Sequence, residues 1–262
     1  CNTQNYSLTA TGLLFGDSTA TGSTTLNLGS STVDIGTGGL DTGNNGGTHT
    51  LNLGSASITC EGKWELVDGT GSIAITPGSS TVTLDGTGTQ NITSNSQSFN
   101  NLTTNKGSGS AVLQDALDVN GNFRLQGGTF DTKSGANNPI YVAGDWKYEG
   151  GTFECRQSTV TFDNASSTST LTGSTTFYGL VSTASGKNVK FSSNTVTYVT
   201  GHLNFENITL RSTLQGATWY LNLSGTQDVS GVNVQDSNAS GGNTIIAFDS
   251  TDSGNNTKWD FG

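Results

Sequence analysis

Charge is scarce in this sequence. Only 11% of its 262 residues are Asp, Glu, Lys or Arg, and Lys and Arg together number 10. Nucleic-acid binding needs clustered cations to neutralise phosphates, so scattered cations under a formal net charge of -10 argue against that class. Long apolar runs are missing as well, and no segment approaches the roughly 20 apolar residues of a membrane-spanning helix. Proline is nearly absent, with 2 residues against 37 glycines, so the chain can turn often and still keep its backbone N–H groups for pairing. The 3 cysteines are an odd count, which removes a disulfide framework as the stabilising device. Cys60 follows Ile58 and Cys155 follows Phe153 at strand spacing, so both are expected as reduced, buried core residues. Methionine and a signal peptide are absent. The chain is therefore expected to be a processed or excised piece of something longer, with Cys1 either a lipid-attachment cysteine or an arbitrary boundary.

What fills the sequence instead is Gly, Ser, Thr and Asn arranged in copies. In STVTLDGTGTQNIT, Ser80 to Thr93, Val82 and Leu84 alternate with Thr81, Thr83 and Asp85, the two-residue period of a strand with one buried face. TLNLGSS at Thr25 returns as TLNLGSA at Thr50, an offset of 25. DVNGNFRLQGGTF from Asp118 returns as YVAGDWKYEGGTF from Tyr141, an offset of 23. Across that second copy Val119 maps to Val142, Phe123 to Trp146 and Gly127-Gly128 to Gly150-Gly151, so each side chain is expected on its counterpart one coil away. A longer period overlies the short one. It relates STVTL at Ser80 to STVTF at Ser158 and, at the same offset, SFNNL at Ser98 to TFYGL at Thr176.

No helical pattern of ten or more residues occurs. The expected fold is all-β, a right-handed parallel β-helix (β-solenoid) with coils of about 23 residues, about eleven coils and a length on the order of 50 Å. Residues 1–24 form an entry segment or N-terminal cap, 25–229 the coils and 230–262 a C-terminal coil or cap, within a single continuous domain. The expected inward set includes Val82, Leu84, Val119, Phe123, Val142, Trp146, Val160, Phe162, Leu203 and Phe205.

GDW, GGTF, STVTF, DGTGTQ, TFYGL, ITLRST at Ile208 to Thr213, and the ending DSNASGGNT with DSGNNTKWDF together resemble a repeat family from environmental bacterial genomes. The resemblance covers about Leu26 to Phe261. It implies adhesin-like β-solenoid modules of very long secreted or cell-surface proteins, with similar modules in phage tail-type proteins, and it carries no catalytic residues onto this chain. DNASSTSTLTG at Asp163 to Gly173 departs from the DGTGTQ-type corner. The expected function is a non-enzymatic structural or adhesive segment at the cell surface or outside the cell. Its expected partners are other repeats and surface glycans. The alternative is a carbohydrate-binding module or a polysaccharide lyase or hydrolase on a β-helix, since the fold alone does not decide function.

Candidate chemistry is sparse. A lyase would want clustered carboxylates and an Arg or Lys base, and the arginines are Arg124, Arg156 and Arg211. Arg124 falls at the repeat position of Lys147 and is expected in a recurring solvent-facing slot. His49 and His202 lack metal-type spacing and are expected at the surface or at corners. No GxSxG elbow is present. For Ca²⁺, Asp249, Asp252 and Asn255 offer hard oxygen ligands at close spacing, without the EF-hand pattern. Asx-rich turns do the same without metal, so no cofactor is expected. Trp64 and Trp146 are expected in the core, while Trp219, Tyr220 and Trp259 are candidates for exposed sugar-binding aromatics. TxT triplets at Thr48, Thr81, Thr159 and Thr195 would direct two threonines outward, but their irregular spacing argues against an ice-binding plane.

Overall fold

The computed structural model describes residues 2–3, 5–14, 22–43, 46–67 and 69–262. Cys1 therefore lies outside the described residues, as does Phe15. The fold is an all-β, right-handed parallel β-solenoid of about nine turns at a spacing of about 23 residues. The chain divides into two compact units, 1–121 with 125–138 and 150–154, and 122–124 with 139–149 and 155–262.

In the first unit the copied sequences lie one above the other. Strand Thr24–Asn27 pairs with Thr48–Asn52 so that Leu26 meets Leu51, the offset read from the copied TLNLGS phrase. A second file runs through Thr32–Asp41, Ser57–Cys60, Thr81–Leu84 and the start of Asn101–Leu113, with Val33 on Ile58, Ile58 on Val82 and Val82 on Leu102. These four side chains are buried. Each such burial stabilises by about 1.5–3 kcal/mol relative to exposure. Successive turns along this file are unequal, the step from Val82 to Leu102 being shorter than that from Val33 to Ile58. The expected eleven coils are corrected to about nine turns, because dividing the whole length by one coil counts every residue as part of a coil. Leu8–Leu14, within the expected entry segment, already pairs with Thr32–Asp41.

Glycine sets the corners of this unit. Gly29, Gly54 and Gly78 have φ of 60°, 60° and 59°, the left-handed region that disfavours a Cβ. A Cβ on Gly54 would lie 2.3 Å from the Gly29 carbonyl oxygen, and one on Gly78 2.1 Å from that of Gly54. Those same carbonyls accept the N–H groups of Ser55 and Ser79 at 2.7 Å. The GGTF copy also holds, since Phe130 pairs with Phe153 and a Cβ on Gly151 would sit 2.4 Å from the Gly128 carbonyl oxygen.

In the second unit, Ile140, Val160, Leu180 and Leu203 form one buried file, and Val142, Phe162, Ser182, Phe205 and Val229 another. Aromatic rings stack between turns: Phe123 on Trp146 at 4.4 Å between centroids, as the repeat alignment required, and Phe191 on Trp219 at 4.0 Å. Every residue of the expected inward set is buried.

Four side-chain expectations are corrected. Trp219 is fully buried, because WYLNL alternates with Trp219, Leu221 and Leu223 inward; Tyr220 and Trp259 are half-buried, the latter with its indole N–H donating to Ser237 Oγ at 3.0 Å. Cys155 is only half-buried, since the strand Thr152–Glu154 ends before it and its carbonyl closes a turn with the Ser158 N–H. His49 is buried rather than at the surface, because it lies two residues before the inward Leu51 on the same strand face; its Nδ1 lies 2.6 Å from Thr24 Oγ1. Thr197 also turns inward, so the triplet at Thr195 does not present two outward threonines. The long-period copies share local pairing, Val82 with Leu102 and Val160 with Leu180, yet Thr81–Leu84 and Thr159–Phe162 belong to different sheets.

Candidate functional site

The DGTGTQ corner is built around an amide. Gln90 donates through Nε2 to the carbonyls of Cys60 and Gly62, both at 2.7 Å, while its Oε1 accepts the Gly86 N–H at 3.1 Å and the Lys106 ammonium. Four polar groups of adjacent turns are satisfied at once, and both side chains are buried. Burial pushes the Lys106 ammonium below its ordinary value, against the opposing charge of Asp85. Burial likewise raises the Cys60 thiol to about 11.

The departing corner at Asp163 to Gly173 keeps this device with different parts. Ser169, buried, stands close to where the copy has Gln90 and donates to the Ala143 carbonyl at 3.3 Å. Lys187, also fully buried, takes the carbonyls of Asn164 at 2.7 Å, Ser167 at 3.3 Å and Ala143 at 3.5 Å. Where the glutamine is lost, the lysine of the following turn binds the corner carbonyls directly. Burial lowers its ammonium from the ordinary range, opposed by Asp163 and Asp145. Reading the sequence alone missed both lysines. The only signal was a lysine recurring in the turn after Gln90 and in the turn after Ser169, in NKG and GKN.

Outside the first of these corners lies a groove of about 660 Å³ flanked by Glu61, Lys63, Asp85 and Thr87. Cys60 pairs with Leu84, which places Glu61 and Asp85 side by side on adjacent turns. Gly86 lets the chain pass, since a Cβ there would lie 1.9 Å from the Glu61 carbonyl oxygen. Asp85 Oδ1 is buried without a hydrogen-bond partner. Burial raises the Asp85 pKa, and the neighbouring Glu61 charge adds to the rise. A carboxyl raised in this way holds its proton to a higher pH than a solvated carboxylate does, the direction that proton transfer to or from a substrate would need. Lys63 is committed elsewhere, to Asp41 at 2.7 Å and to Glu65.

The residues singled out from sequence do not meet in this groove. Arg124 pairs with Glu149 through two hydrogen bonds of 2.9 and 2.8 Å, and Lys147 with Asp145 at 3.3 Å, two charged side chains on one half-exposed slot. Arg211 donates to the carbonyls of Leu210 and Asn233 and to Asn233 Oδ1. His202 is half-exposed, with Nδ1 3.1 Å from Thr226 Oγ1. Asp249, Asp252 and Asn255 are exposed and do not converge: Asp252 Oδ1 accepts the Gly254 N–H and the Asn256 amide, while Asn255 donates to Asp236. Among the described residues no group of three His, Cys, Asp or Glu side chains gathers at a metal-binding distance. Nor, among them, is any helix long and apolar enough to cross a membrane. No family model, curated protein or solved structure matches the chain.

Proposed function

We propose that this chain is a non-enzymatic structural or adhesive segment of a large extracellular or cell-surface repeat protein, engaging other repeats of its own or neighbouring chains. The observation that carries the reading is where the deeply buried ionisable side chains direct their polar atoms. Lys106 holds the corner amide of Gln90, and Lys187 holds three corner carbonyls. Groups tuned for catalysis face a cleft and await substrate; these fasten one turn to the next, which supports a scaffold. The family resemblance of GDW, GGTF and STVTF supports the location.

One observation favours a second reading, a polysaccharide-cleaving groove: the unpartnered Asp85 Oδ1 beside Glu61. Depolymerisation assays on a panel of neutral and acidic polysaccharides separate the two. The scaffold reading expects no turnover. Sustained cleavage that disappears in Asp85→Asn with the fold intact overturns it in favour of the enzyme.

A further inference from the structure

The second unit carries a separate cavity of about 330 Å³, flanked by Lys190, Arg211, Thr213, Gln215, Gln235 and Asp236. Lys190 and Arg211 are direct partners across the parallel pair Asn188–Phe191 and Thr209–Ser212. Like charges in that relation repel, and adjacent strands lie only about 4.8 Å apart. The chain has just 10 basic residues under a net charge of -10, so two of them side by side on the lining of one cavity gather positive charge that an anion would neutralise. Arg211 is fixed in position by its bonds to the Leu210 and Asn233 carbonyls and to Asn233 Oδ1, which leaves its remaining N–H groups for a ligand. Lys190 has no hydrogen-bond or ion-pair partner among the described residues. Asp236, buried beneath, has both carboxylate oxygens engaged, by the Gly216 N–H and the Asn255 amide.

The formal charge around the cavity, two cations and one carboxylate, is a single positive. That matches a monoanion and not a phosphate dianion. The rest of the lining is hydroxyl and carboxamide, from Thr213, Gln215 and Gln235, which suits the hydroxyl groups of a sugar and offers nothing to an apolar ligand. Arg211 and Thr213 are the residues of the ITLRST phrase that Ile208 and Leu210, buried in the core, leave to the outer face, and Asp236 opens DSNASGGNT.

We infer that this cavity binds the carboxylate of a uronic-acid unit in an acidic polysaccharide, with Lys190 and Arg211 clamping the carboxylate and the amide side chains accepting and donating to ring hydroxyls. The inference goes beyond the scaffold reading and is tested apart from it, because a chain that binds no uronate and cleaves nothing is still a scaffold. The test is titration calorimetry of the full chain with trigalacturonate, a neutral maltotriose, a sulfated trisaccharide of equal length and a short Asp-rich peptide, at low and high salt. Expected is salt-sensitive binding of trigalacturonate, at least tenfold weaker binding of the neutral and sulfated sugars and of the peptide, and at least a tenfold loss in Lys190→Gln at unchanged thermal stability. Absence of trigalacturonate binding, equal binding of the neutral sugar, or undiminished binding by Lys190→Gln overturns the inference. Tighter binding of the sulfated sugar or of the peptide overturns the assignment to a uronate.

Discussion

Phe162 shows what one side chain contributes to this stack. It is fully buried, in register with Val142 before it and, in the same file, Ser182 beyond it. Truncating it to Ala should cost about 3–5 kcal/mol, seen as a lower urea midpoint at unchanged slope. Cys60 makes a prediction in pH. Its folded thiol titrates at about 11 against an ordinary value of 9.0, so the unfolded chain releases that proton first. The Cys60 contribution is therefore complete below pH 9 and is lost as the pH rises toward 11, by about 2 kcal/mol. Unfolding curves between pH 8 and 11 should show this slope in the wild type and a shallower one in Cys60→Ala; equal slopes would refute it. Lys187 and Lys190 separate burial from charge. Lys187→Met strands three corner carbonyls and should cost about 2–4 kcal/mol, whereas Lys190→Met, on the half-exposed sheet face, should stay within about 0.5 kcal/mol.

At the level of the element, the corner decides more than the strand. Gly54→Ala forces a Cβ into the left-handed region and onto the Gly29 carbonyl, and should cost at least about 2 kcal/mol by thermal unfolding. Gly88→Ala is the contrast, since a Cβ there meets open space and φ is not positive; it should be neutral or stabilise by about 0.5 kcal/mol through the unfolded chain. A Gly54→Ala variant as stable as Gly88→Ala would remove glycine fit as the reason for the corners. The strands were legible beforehand because a half-buried strand writes its inward face at every second residue, and Val82, Leu84, Val160 and Phe162 follow that rule. The corners were less so. Nothing in a lysine's own sequence neighbourhood says that a carbonyl from the turn before will reach it, so Lys106 and Lys187 went unnoticed. STVTL and STVTF preserved their pairing rule while changing sheets, because local register depends on neighbouring turns and not on which face they occupy. The acidic groove escaped for the same reason: Glu61 and Asp85 are separated by a full turn of chain and meet only through the register of Cys60 with Leu84.

For the whole molecule, stability is a sum of neighbour-to-neighbour terms, so an end must be closed rather than simply stop. The strand Thr226–Ser230 pairs backward with His202 to Glu206, and forward its Ser230 bridges Phe248, whose N–H in turn reaches the Val229 carbonyl. Removing the residues after Gly231 leaves Val229 and the edge of that strand open. The shortened chain should keep its β-sheet circular dichroism and self-associate with concentration in light scattering, and a monodisperse monomer would show that the C-terminal segment closes nothing. The glycine file bears on how such a chain changes over generations. Gly54 is fitted to the carbonyl of Gly29 and Gly78 to that of Gly54, so a turn arriving without its matching glycine would clash with the turn already in place. Lengthening by copying an intact turn avoids the clash, while residue-by-residue drift at these corners does not. The near-identity of TLNLGSS and TLNLGSA, against the looser sequences around them, is the trace such growth by duplication would leave.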